Sequence, residues 1–251
     1  MLTPVVILIR PQMGENIGAV ARAMSNFGLE ELRIVAPRDG WPNIKANEMA
    51  ASAEYIINSA TIFPDFSSAM ADIHKAYATT ARPRHMNKRV VSPEVAMQEI
   101  SSTLSNPHSS SPIIIKCALV FGPERSGIEN EEIILCDNII TIPTSEKNPS
   151  LNLAQASVII GYEWMKASLE YKILNVESIK NIPAPKSDMF AMFEQLEKYL
   201  DESEYFRTSH KKAIMWKNLK NMLLRGSWGE QEIRSFRGML RSLWEHGNNK
   251  N

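Results

Sequence analysis

The sequence predicts an α/β protein built on a parallel sheet, with a small helical segment at its C-terminal end. Three observations carry this. Val5–Ile9 is an unbroken aliphatic run; strands covered on both faces, as in parallel sheets, read this way, whereas half-exposed strands alternate. A helical stretch and a second apolar run, Leu32–Val35, follow it, which gives a β-α-β opening. After Asp188 the pattern changes to three amphipathic segments, 190–200, 213–224 and 230–244, with Gly226-Ser227-Trp228-Gly229 between the last two.

Between these ends the chain alternates. Helical patterns fill 47–59 and 65–72, and strands are expected over 76–79, 113–121 and 138–142. A long helix is expected over 151–171. The Ser-rich stretch 101–112, with two prolines, reads as a solvated loop. The stretch 175–188 contains Pro183 and Pro185 and reads as a linker. The expected organisation is therefore a domain over 1–174, a linker over 175–188 and a helical extension over 189–251.

Composition sets limits. The 251 residues are 44% hydrophobic and 22% charged, ordinary for a globular protein. Lys+Arg and Asp+Glu are 28 each, so total charge gives no support for nucleic-acid binding and any such case rests on local clusters. There are two. Arg82, Arg84, His85, Lys88 and Arg89 lie in a stretch without acids between Asp72 and Glu94. Arg207, Lys211, Lys212, Lys217, Lys220 and Arg225 lie in another between Glu204 and Glu230. Such runs also decorate plain solvated faces. Cys117 and Cys136 do not form a CxxC pair and adjoin apolar runs, which fits buried thiols in a reducing compartment. The histidines show no metal-ligand spacing, and no apolar run is long enough for a signal core or a bilayer span. The expectation is a cytoplasmic protein with no metal and no membrane partner.

Three segments carry candidate chemistry. In the first, Asn16 is a good helix N-cap and Gly28 a good residue to end the helix. Ile17, Val20, Met24 and Phe27 share one face, and Arg22 points about half a turn away from it. Arg22 is either a solvated cation or a phosphate or ribose ligand, a task for which the planar guanidinium is well shaped. The second segment is the strand exit Phe121-Gly122-Pro123-Glu124-Arg125-Ser126-Gly127. Parallel α/β proteins place ligands at such exits. Gly122 and Gly127 admit a close ligand or a positive φ, and Glu124 is positioned either to fix Arg22 or Asn16 or to face solvent. Neither GxGxxG nor a Walker lysine is present, which disfavours a nucleotide-dependent oxidoreductase or a P-loop enzyme. In the third segment a strand ends at Ile142 and a helix is expected from Ser150, a plausible N-cap; Asn152 is unusual among the apolar Leu151 and Leu153.

Together these segments resemble the signature motifs of the SPOUT superfamily RNA 2′-O-methyltransferases of the TrmH/SpoU family. Asn16 and Arg22 match the first, Phe121, Gly122, Glu124 and Gly127 the second (FGxExxG), and Ser150, Leu151, Asn152, Ala154 and Ala156 the third (SLNxAxA). The C-terminal segment, including IRSFRGMLRSL at 233–243, resembles the extension of the TrmJ-like tRNA (cytidine/uridine-2′-O-)-methyltransferases.

The resemblance implies a deep trefoil knot at the C-terminal side of the sheet, which periodicity cannot show because knots are rare. It implies a homodimer whose active site is completed across the interface. It implies S-adenosyl-L-methionine as cofactor and S-adenosyl-L-homocysteine as product, with Thr79, Thr80, Ala81, Gly122, Ile142, Ser150 and Leu151 as the cofactor site. Arg22, Ser150, Asn152, Glu124 and Asn16 would form the catalytic set, and Arg22, Arg82, Arg84, Lys88, Arg89, Lys211 and Lys212 would contact RNA. The implied substrate is the ribose of the pyrimidine at position 32 of the tRNA anticodon loop. Ribosomal RNA or another tRNA position is the nearest alternative, and a non-catalytic RNA-binding protein on the same fold is the alternative of another class.

Overall fold

The computed structural model describes residues 2–81, 87–104, 115–171, 183–206, 209–226 and 228–248. The aliphatic run at the start is strand β1 (Val5–Ile9) and is buried throughout. Val6 and Leu8 point to one side of the sheet and Val5, Ile7 and Ile9 to the other, and both sides are covered. Helix α1 (Gly14–Asn26) leads to β2 (Leu32–Val35), then α2 (Ile44–Ala50), a 3₁₀ turn, α3 (Glu54–Ser59), β3 (Thr61–Phe63), α4 (Phe66–Met70) and β4 (Lys75–Thr79). There follow β5 (Val90–Val91), α5 (Pro93–Leu104), β6 (Cys117–Phe121), α6 (Asn130–Leu135), β7 (Asn138–Ile140) and α7 (Leu153–Tyr171). The chain closes with α8 (Lys186–Glu202), α9 (Ser209–Leu224) and α10 (Glu230–Asn248).

The strands form one sheet in the order β3-β2-β1-β6-β4-β7-β5. Every neighbouring pair is parallel, as the sequence predicts. On one side α1, α5 and α7 bury Ile17, Val20, Met24, Met97, Ile100, Ile160 and Trp164. On the other, α4 and α6 contribute Phe66, Met70 and Ile133. Small residues let the first layer approach closely. A Cβ on Gly18 would lie 2.2 Å from the Ala46 carbonyl oxygen of α2, and one on Gly161 would meet the Phe27 ring. Cys117 and Cys136 are buried free thiols, and burial pushes both up to about 12, so neither is a thiolate.

Several boundaries differ from the sequence reading. The stretch 47–59 is broken into α2, the 3₁₀ turn and α3. Residues 101–104, expected as loop, are the last turn of α5; residues 105–114 lie outside those described. Ser101 and Thr103 are buried there because their hydroxyls donate to the Ala167 and Glu99 carbonyls, which satisfies them inside a packed helix. Lys186-Ser187-Asp188, expected as linker, opens α8, and the linker residues 175–182 fall outside the described set.

The C-terminal helices share a cluster of Met192, Phe193, Trp216, Leu223 and Ile233, joined by Ile134 of α6. Helix α8 is also tied to the sheet. Lys186 N–H donates to the Ile73 carbonyl at 2.6 Å, and its buried ammonium meets Asp137 Oδ1 at 2.7 Å.

At the amino end of the sheet, Arg33 is buried with Nη1 on Ala69 O at 2.7 Å and on Asp72 Oδ1 at 2.5 Å, while Lys116 holds Asp72 Oδ2 at 2.9 Å. Arg33 first, and Lys116 after it, keep the Asp72 carboxyl well below its ordinary value. A depressed carboxylate contributes stability that is present above its unfolded pKa of about 3.9 and lost as pH falls through the folded value. Urea unfolding between neutral pH and pH 3 is expected to show a shallower acid loss for Asp72→Asn than for the parent chain; equal slopes would remove Asp72 from the acid response.

Candidate active site

A cavity of about 600 Å3 opens at the carboxyl ends of β4, β6 and β7. Parallel sheets bind ligands on this side because the loops leaving adjacent strands converge there. Its walls are Thr79–Ala81 after β4, the loop 121–127 after β6, and Ile142 with Ser150 and Leu151 after β7. All seven residues expected to hold a cofactor line it. Ile142 and Leu151 pack against the core and form an apolar wall. Among the described residues Thr79 Oγ1 is buried without a hydrogen-bond partner. An unsatisfied hydroxyl beside an apolar cavity suits a ligand that carries an apolar face and polar edges.

The two glycines of the 121–127 loop have different causes. A Cβ on Gly122 would lie 2.3 Å from the Ile128 nitrogen, so this glycine lets the loop pack on itself. Gly127 has φ +68° and its N–H donates to the Pro123 carbonyl at 2.8 Å.

Glu124 is the centre of a network that joins all three segments. Its Oε2 accepts the Gln12 N–H at 2.9 Å and its Oε1 accepts Asn16 Nδ2 at 2.7 Å. Asn16 Oδ1 in turn accepts Asn152 Nδ2 at 3.2 Å, and Asn152 Oδ1 accepts the Ala154 N–H at 2.8 Å. Two capping assignments are thereby corrected. Asn16 does not cap α1, whose N-cap is Met13 with no side-chain bond, because the Asn16 amide is engaged by Glu124 across the site. Ser150 does not cap α7, which starts at Leu153; Asn152 does so with its carbonyl oxygen, which explains an amide among leucines.

Of the roles open to Glu124, fixing Arg22, fixing Asn16 or facing solvent, the structure selects the bond to Asn16. Arg22 is exposed on α1, does not line the cavity of its own chain, and has no hydrogen-bond or ion-pair partner among the described residues. Ser150 lines the cavity.

The basic residues separate. Arg82, Arg84, His85 and Arg207 lie outside the described residues. Lys88 stands against the phosphate contact expected of it. Its ammonium donates to the Ile134 and Cys136 carbonyls at 3.0 and 2.5 Å, and burial pulls it down to about 8. Arg89 pairs with Glu99 at 2.5 Å. Lys212 is held by Asp201 and Glu197 at 2.7 and 3.3 Å, whereas Lys211 is exposed. Among the described residues no group of His, Cys, Asp or Glu is arranged to hold a metal, and no helix is long and apolar enough to cross a membrane.

Residue-by-residue reading missed the Gln12 N–H, which as a backbone donor has no sequence signal. It also missed Thr144 and Glu146, which line the cavity from a polar loop without periodicity.

Residues 3–162 match the model of the SpoU rRNA Methylase family. The tRNA (cytidine-2′-O-)-methyltransferase TrmJ of Methanocaldococcus jannaschii is 32% identical over 222 residues, spanning 86% of this chain and 90% of that protein. The tRNA (cytidine/uridine-2′-O-)-methyltransferase TrmJ of Yersinia pestis is 32% identical over 241 residues, spanning 95% and 90%. The crystal structure of TrmJ from Z. mobilis ZM4 superposes with a TM-score of 0.83 at 40% identity, covering 96% of this chain and 99% of that one. With a family model over most of its sheet-forming part and relatives matched nearly end to end, the chain belongs to the SpoU rRNA Methylase family of methyltransferases.

Proposed function

We propose that this protein methylates the 2′-hydroxyl of a pyrimidine ribose in tRNA, at position 32 of the anticodon loop, with S-adenosyl-L-methionine as methyl donor. The observation that carries the reading is the Glu124–Asn16–Asn152 network, which draws the three motif segments to the rim of one cavity. When bound, the donor supplies an electrophilic sulfonium methyl for in-line attack by the ribose oxygen and leaves as S-adenosyl-L-homocysteine. The chain's own residues hold and orient. Ile142 and Leu151 supply the apolar wall for an adenine face, and Thr79 Oγ1 supplies a polar contact. Glu124 accepts from two donors, so it acts as an orienting carboxylate. Asn152 and Ser150 face the ribose side, and Arg22 binds substrate phosphate and stabilises the developing alkoxide.

Because Arg22 stands outside the cavity of its own chain, the reading includes a homodimer in which Arg22 serves the partner's cavity. Val158, Tyr162 and Leu169 on α7, exposed to 44%, 53% and 51%, support a covered face there. The reading also includes the trefoil knot, which insertion of β6 between β1 and β4 supports, and cytoplasmic work on tRNA. The functional unit is read as a catalytic domain, 1–174, extended by the helices that begin with α8 at Lys186.

The test is transfer of labelled methyl from S-adenosyl-L-methionine to unmodified tRNA, with 2′-O-methyls mapped in cellular RNA with and without the gene. Label at a tRNA anticodon-loop pyrimidine is expected; label confined to ribosomal RNA would overturn the substrate. Lys211→Ala is expected to weaken tRNA binding uniformly and lower the salt slope by about one counterion. An unchanged slope would take Lys211 out of the RNA surface.

A further inference from the structure

The strand that enters the site ends in a backbone outlier. β1 stops at Ile9, and Arg10 has φ +44°. A side-chain-bearing residue in the left-handed region persists only where its surroundings over-determine it, and such residues concentrate at functional sites. Here the surroundings are specific. Arg10 N–H donates to the Val35 carbonyl at 2.8 Å. Its guanidinium grips Glu132 in a fork, Nη1 on Oε1 and Nη2 on Oε2 at 3.1 Å, and Nη2 lies 3.2 Å from Glu129 Oε1. Glu132 is buried, and its Oε2 also accepts the Glu129 N–H at 2.9 Å, closing the capping box that starts α6.

Two residues beyond Arg10, the Gln12 N–H meets Glu124. The segment leaving β1 therefore holds the segment leaving β6 at two places, Glu124 within the cavity wall and Glu132 beyond it, and the lining residues Arg125 and Gly127 lie between them. We infer that Arg10 is a positioning residue: its turned backbone aims the Gln12 N–H at Glu124, and its fork on Glu132 fixes the far end of the cofactor-binding loop. The inference rests on the methyl-donor reading only for what the loop holds; the clamp itself is a property of the chain.

The experiment compares the full chain with Arg10→Gly, which removes the fork while accepting the backbone turn, and with Glu132→Gln, which keeps the volume and removes the charge. Asp72→Asn, at the opposite end of the sheet, is the control for a general loss of stability. Titration of S-adenosyl-L-homocysteine and amide hydrogen exchange over 122–127 are read for each. Both clamp variants are expected to raise the Kd by about tenfold or more and to speed exchange in 122–127 while exchange in Val5–Ile9 stays slow. Asp72→Asn is expected to change neither. If Arg10→Gly does not fold, Glu132→Gln decides alone. Kd and exchange in the clamp variants within about twofold of the parent, or equal effects in Asp72→Asn, would overturn the inference. A parent chain that binds no S-adenosyl-L-homocysteine would instead defeat the methyl-donor reading, and the exchange comparison would still decide the clamp.

Discussion

Arg22→Ala is expected to lower methyl transfer by about 10²–10³-fold or more, the scale for removing a donor that stabilises developing negative charge, while S-adenosyl-L-homocysteine binding stays within about twofold of the parent. The separation follows from where the residue sits. Arg22 is exposed on α1, outside the cavity wall, and has no partner among the described residues. Its removal opens no hole in the core and strands no buried charge. Stability is expected to move by less than about 0.5 kcal/mol, as for other surface changes, and alanine is the better helix former. A lost rate with an intact melting curve and intact cofactor binding therefore isolates a role in chemistry or substrate binding. Arg22→Lys keeps the charge without the planar fork and is expected to recover only part of the rate. Initial-rate measurements beside calorimetric titration check both variants, and parent-like turnover in Arg22→Ala would remove the residue from the catalytic set.

Gly122→Ala is expected to act through the cavity itself. The added Cβ would stand 2.3 Å from the Ile128 nitrogen and 2.5 Å from the Gly127 carbonyl carbon. These are backbone atoms, so the loop must move as a unit. Overpacking of this kind costs about 1–3 kcal/mol. The loop that would move is one wall of the cavity, so a comparable loss is expected in affinity for S-adenosyl-L-homocysteine, at about tenfold per 1.4 kcal/mol. Gly127→Ala is the informative companion. Its Cβ would meet nothing within 4 Å, leaving only the strain of φ +68°. It is expected to cost about 1 kcal/mol and to spare most of the affinity. Equal losses in the two variants would argue that strain rather than displacement of the wall is responsible.

What sequence could reveal was set by the range of the interaction behind each feature. β1 was legible because both of its faces are buried, so its pattern is unbroken. The loops at Gly122 and Ile142 were legible as strand exits, and the residues they contribute do meet at one cavity. Asn16 reads as a cap because its engagement with Glu124 and Asn152 joins segments far apart in the chain, which no local propensity encodes, whereas the place given to Ser150 is taken two residues on by Asn152 through a local bond to the Ala154 N–H. Lys88 read as part of a basic run, yet its ammonium turns inward to helix-end carbonyls. The last turn of α5 looked like loop because Ser101 and Thr103 are polar; their bonds to backbone carbonyls hide that polarity in the packed layer. β5, only Val90–Val91, is too short to carry a period. The placement of Arg22 away from its own cavity likewise depends on three-dimensional arrangement, which helical periodicity alone does not supply.

The two outermost strands have a further bearing on handling. β3 spans Thr61–Phe63 and β5 spans Val90–Val91, so the sheet tapers at both borders. Each border exposes few unpaired backbone groups, too few to template a growing ladder of chains. Concentrated preparations are therefore expected to resist fibril growth, and precipitation on storage should respond to salt and to apolar surface rather than to strand recruitment.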